Sequence, residues 1–111
     1  MSDIEQIELS LSDAKEMVAR RDSVLKLKSN REFRKIILDG YFKEEAIRLT
    51  ALTASPEMEK YRAEIFMSIQ AISVLQGFFQ TTLQLGDVAA ANIAEYEGEL
   101  EVLREEQVAG D

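Results

Sequence analysis

The chain is 111 residues long, with a formal net charge of −8, one Pro, five Gly, and neither Cys nor His. That length suits one domain, and 46% hydrophobic content supplies the core that a disordered chain lacks. So little Pro and Gly excludes the many turns of a sandwich or barrel, and the missing Cys and His exclude disulfides, thiolate nucleophiles, zinc sites and imidazole acid–base chemistry.

Hydrophobic residues recur at helical spacing along four stretches. In the first, Ile4, Leu11, Val18 and Leu25 repeat every seven residues, with Ile7 and Ala14 between them and Met17 and Val24 widening the stripe. This predicts a helix from Asp3 to Lys28. Arg21 and Lys28 fall on the second seam position, so the seam weakens towards its end. Ser29 opens the second stretch, three residues before Glu32, which is the spacing of a capping box. Phe33, Ile36, Ile37, Tyr41, Phe42, Ala46, Ile47, Leu49 and Leu52 follow. Asp39-Gly40 permits a kink, but Phe33, Ile37 and Tyr41 stay in register, and the spacing predicts one straight or bent helix from Asn30 to Thr53.

Ser55-Pro56-Glu57 is the firmest boundary, because Ser suits an N-cap, Pro the first helical position and Glu the positive end of the dipole. Beyond it Met58, Tyr61, Ile65, Ile72, Leu75 and Phe79 form a heptad seam. Phe66, Met67, Ile69, Val74 and Phe78 extend the apolar character around the circumference, which predicts a central, enclosed helix. Gly86-Asp87 would close this helix and cap a fourth, whose seam is Ala89, Ile93, Tyr96, Leu100 and Leu103. A polar end from Glu105 onward is expected to fray. The fold class is therefore all-α: three to four amphipathic antiparallel helices in a bundle, alone or completed by oligomerisation. The domain covers residues 1–108, with a frayed acidic tail over 109–111.

Charge is uneven. Residues 87–111 carry a net −7, whereas Arg20, Arg21, Lys26, Lys28, Arg31, Arg34 and Lys35 face only Asp22 and Glu32. Glu95, Glu97, Glu99, Glu101, Glu105 and Glu106 could dock a basic partner or imitate nucleic acid; the plainer account is a solvated face. Arg31, Arg34 and Lys35 could meet phosphate or an acidic subunit. The plainer account there is a turn whose cations balance nearby carboxylates and the end of the first helix dipole. Carboxylate pairs such as Glu97 and Glu101 share a helix face, but a di-metal bundle also draws on His. No catalytic, cofactor-binding or metal-binding residue is named, no cofactor is expected, and no enzyme is expected. Phe78-Phe79 is the candidate interface: adjacent side chains stand about 100° apart, so both are internal only in an enclosed helix.

One stretch carries a resemblance. Arg20-Arg21-Asp22, Leu25, Ser29-Asn30, Phe33, Ile36-Ile37, Gly40-Tyr41-Phe42-Lys43-Glu44-Glu45-Ala46 and Arg48-Leu49 resemble a family of small acidic helical proteins of tailed bacteriophages. Ala71-Ile72, Leu75, Phe78-Phe79 and Ala94-Glu95-Tyr96 fit the same pattern. The resemblance implies phage origin and a virion structural or assembly role, in a head, connector or capsid-associated subunit. It transfers no functional residues.

The expected partners are other phage structural proteins or a second copy, with no direct nucleic-acid binding and no membrane. The expected place is the virion or host cytoplasm. No run of 18 apolar residues occurs, and Met1 leads into an acidic segment rather than a signal peptide. The alternative is a soluble phage-encoded inhibitor of a host protein, acting through its acidic C-terminal helix.

Overall fold

Among the described residues, 2–110 of a computed structural model, every element is helical. The lead-in at Met1 and the end of the expected tail at Asp111 lie outside the described residues. The first helix runs Asp3–Ser29, a middle helix covers residues 31–53, a 3₁₀ turn spans Pro56–Tyr61, and a long helix runs Arg62–Ala109. The chain divides into two compact units, residues 24–81 and the segments up to Ser23 and from Thr82.

In the unit of residues 24–81, the middle helix begins one residue later than the capping-box reading places it. Asn30 is the N-cap, with extended φ −74° and ψ 127°, and its Oδ1 accepts the Phe33 N–H at 2.9 Å. Ser29 instead ends the first helix and donates its hydroxyl to the Lys26 carbonyl at 2.8 Å. Asn caps as well as Ser does, so the residue whose backbone is already extended takes the role.

The middle helix is continuous, but Arg34–Glu45 within it is π-helical. Asp39-Gly40 therefore widens the helix rather than breaking it, and no described residue has positive φ. Widening changes which side chains share a face. Phe33 and Phe42 are nine residues apart, half a turn out of phase in an α-helix. With wider turns both reach Phe79, at centroid distances of 5.8 and 6.1 Å. Ile36 and Ile47 are left exposed.

Ser55-Pro56 marks the boundary after the middle helix as expected. Ser55 is extended at φ −80° and ψ 123°, and Pro56 opens the 3₁₀ turn. The Ser55 cap is made by its carbonyl, which accepts the Met58 N–H at 3.1 Å. Arg62 Nε donates to the Thr53 carbonyl at 3.1 Å, placing a cation on the negative end of the middle helix. Leu49, Ile65 and Ile72 form the core, flanked by Tyr41, Phe42, Ala46, Leu52, Met58 and Ile69.

In the other unit the first helix lies antiparallel to the second half of the long helix, with Glu8 opposite Arg104 and Arg21 opposite Asp87. Ala14, Ala89 and Leu100 are buried, and Ile4, Ile7, Leu11, Val18, Ile93, Tyr96 and Leu103 are half-buried beside them. The seams at 4–18 and 89–103 match the heptad reading. The expected break at Gly86-Asp87 is absent, so the third and fourth stretches are one helix, which continues through Glu105 to Ala109.

The physical reason lies on the first helix. A Cβ on Gly86 would sit 2.2 Å from the Arg21 Cβ, so the glycine admits a neighbouring helix instead of ending its own. Asp87 holds the arriving cation, with Arg21 Nη1 donating to Asp87 Oδ1 at 3.0 Å and to the Gly86 carbonyl at 3.5 Å. Arg21, a flaw in the apolar seam, thus has a matched seat.

Candidate functional site

The adjacent phenylalanines separate. Phe79 turns inward, edge-on to Phe33 with an interplanar angle of 79°, and also against Phe42. Phe78 stacks at a tilt on Phe79 at 6.0 Å yet is 62% exposed. Phe66, Met67 and Val74 are likewise more than half exposed. Among the described residues, the helix expected to be enclosed keeps these four side chains mostly exposed.

The cationic candidates gather at the start of the middle helix. Arg31, Arg34 and Lys35 line an open hollow of about 340 Å³ with Ser29 and Asp39. All three are exposed, and Asp39 in that hollow pairs with Lys43 at 3.7 Å. The site is wet and mixed in sign, where an ion pair contributes little.

The acidic candidates lie on both flanks of the apolar seam. Glu97 and Glu101 stand with Glu105 along one groove of about 1080 Å³, floored by Leu11, Leu100 and Val108. Glu99 lies in a different hollow with Ile7, Val102 and Leu103. The apolar seam runs between the two flanks, because 97, 101 and 105 follow the α-helical repeat while 95 and 99 fall on its far side. Glu95 is exposed like the rest. Lys15 and Arg104 enter the larger groove, and Arg104 donates to Glu8 at 3.1 Å.

Two ion pairs shift titrations. Arg21 is held above its ordinary value by hydrogen bonds to Asp22 and Asp87. Glu45 accepts from Arg48, with the Nε contact at 3.0 Å, and is held below the usual carboxylate range by that hydrogen bond. Both are pairs at the surface. Among the described residues no three carboxylates are grouped to hold a metal ion, and no helix is long and apolar enough to cross a membrane.

The residue-by-residue reading named Phe78 as a candidate interface but missed the second heptad row on the exposed side of the long helix. The signal was present, since Met67, Val74 and Thr81 repeat every seven residues, as do Ala71 and Phe78. It was hidden because the stronger seam of Ile65, Ile72 and Phe79 has the same period. Comparison with family models, curated proteins and solved structures finds no match to the chain.

Proposed function

We propose that the chain is a structural or assembly subunit that works through helix-mediated protein contacts, as a head, connector or capsid-associated component of a phage particle. Its helices form a bundle that another chain completes, and it acts without catalysis or a cofactor. The observation that carries this reading is the apolar outer side of the long helix, where Phe66, Met67, Val74 and Phe78 stand in water. Patches of this kind mark interaction surfaces. The phage assignment rests on the residues quoted for the resemblance, and with it come the virion or host cytoplasm as the place of action.

The inhibitor reading needs a continuous negative strip. On the flank of Glu97 and Glu101 the carboxylates share their groove with Lys15 and Arg104, which dilutes the negative charge there and favours the assembly role. Mass spectrometry of purified virions and proheads from the encoding phage tests it. Peptides of this chain at stoichiometric level are expected in one or both. Absence from both particles would overturn the assignment, and a salt-sensitive basic host partner captured in its place would install the inhibitor reading.

A further inference from the structure

Within residues 24–81, the long helix carries two heptad seams on different faces. Ile65, Ile72 and Phe79 face the core. Met67, Val74 and Thr81 repeat at the same interval, Ala71 and Phe78 fill the intermediate position, and all five are exposed, Val74 to 73%. Spacing of 4-3-4-3 is the pattern by which one helix meets another along a seam.

Two further features set this stripe apart. From Ile65 to Thr81 no residue is charged, although a protein surface ordinarily carries about 25–35% Lys, Arg, Glu and Asp. Beside the stripe stands Gly77, where an added Cβ would meet nothing within 4 Å. Glycine weakens a helix interior, and at Gly77, unlike Gly86, no described residue stands where the missing side chain would be.

The geometry points to a second copy of this chain as the occupant, its stripe packed antiparallel on the first about a twofold axis at Val74. This deepens the assembly reading, on which its role rests, by naming the partner. Charge supports it. Two copies at −8 each repel, so they meet on an uncharged face, and burying a lone charge against such a face is costly.

Self-complementarity sets the direction. Antiparallel pairing about Val74 sets Met67 opposite Thr81 and brings Phe78 within one residue of Ala71 of the other copy, so the large side chains of the stripe meet small ones, while Gly77 faces Ala71. Parallel pairing would stack Phe78 on Phe78 and leave a gap between facing alanines. Area also suffices. Taking ~150–250 Å² for a whole aromatic side chain, the exposed parts of Phe66, Met67, Val74 and Phe78 offer roughly 500 Å² per copy. With their polar neighbours they reach the lower end of the ~1,200–2,000 Å² total of a specific interface.

The chain has no cysteine, so single-cysteine variants report register directly, since a disulfide needs Cα atoms within about 7 Å. Val74→Cys, Phe78→Cys, Ala71→Cys and, on the opposite side of the helix, Gln76→Cys are oxidised at tens of micromolar chain and resolved on non-reducing gels. The wild type is followed by sedimentation. Expected are a wild-type mass twice the 12.6 kDa of one chain, a covalent dimer from Val74→Cys, and one from mixed Ala71→Cys and Phe78→Cys. Phe78→Cys alone should give no more than Gln76→Cys.

A monomeric wild type, or Val74→Cys no better than Gln76→Cys, overturns the proposal. Phe78→Cys linking as well as Val74→Cys overturns the antiparallel register. Val74→Glu should return the mass to that of one chain with helicity by circular dichroism kept; a helical variant that stays dimeric also overturns it. If Val74→Glu unfolds, the cysteine series still decides. A dimer missing from particles sinks the assembly reading alone, and a particle protein whose Val74→Cys does not link sinks this inference alone.

Discussion

The two units solve the same problem, helix against helix, with opposite materials. Residues 24–81 fill the space with bulk: Leu49, Ile65 and Ile72 at the centre, and Phe33 and Phe42 both against Phe79. The segments up to Ser23 and from Thr82 rely on smallness instead, burying Ala14, Ala89 and Leu100 and seating Arg21 over Gly86. Packing of the first kind fails when atoms are removed, and packing of the second kind fails when atoms are added.

The largest effect should come from truncation in the bulky unit. Ile72 is 3% exposed, and Ile72→Ala should cost about 2–5 kcal/mol of unfolding free energy through lost burial and a residual cavity. Urea unfolding followed by circular dichroism measures it, and a loss under ~1 kcal/mol would remove the case for bulk packing there. Enlargement in the other unit comes next. Ala89→Leu should cost about 1–3 kcal/mol by overpacking, although Leu is nearly as good a helix former as Ala. A neutral or stabilised variant would break the contrast between the units.

A smaller effect distinguishes the two candidates for the middle-helix cap. Asn30→Ala should cost about 1 kcal/mol, while Ser29→Ala should stay within ~0.5 kcal/mol, as surface substitutions do. Reversal of that order in thermal melts would restore the Ser29 capping box. The smallest effect is acid sensitivity from Glu45. Its carboxyl is held below the ordinary value by Arg48, so the pair stabilises the fold above the unfolded pKa, ~4.3 for Glu, and that stability fades as pH falls through the lowered value. Arg48→Gln should therefore flatten the loss of stability measured in melts as pH falls from the unfolded value through the lowered one; an unchanged slope would show the pair to be idle.

Much of the fold was legible because helical period and boundary chemistry are local. The seams at 4–18 and 89–103, the Ser55-Pro56 stop and the inward Phe79 follow from spacing and from the backbone limits of Pro. What was not legible depended on distant residues. Gly86-Asp87 has the chemistry of a helix end, and only the presence of Arg21 sixty-five residues earlier turns it into a seat for a crossing helix. The π-helical stretch rotates Phe42 onto the Phe33 side, which a 3.6-residue wheel places opposite. Density of charge along the chain likewise does not say that Glu97 and Glu101 share a groove with Lys15 and Arg104.

The contrast between the units is tested most directly at two glycines of the same long helix. Gly98, unlike Gly86, would meet nothing within 4 Å if given a Cβ. Helix propensity favours Ala over Gly by about 0.8–1.0 kcal/mol at either position. Unfolding free energies of Gly86→Ala and Gly98→Ala, measured side by side, should have opposite signs: Gly98→Ala more stable than the wild type, and Gly86→Ala less stable because Arg21 must move. Stabilisation by both substitutions would contradict the close approach at Gly86, and with it the claim that this unit is built on smallness.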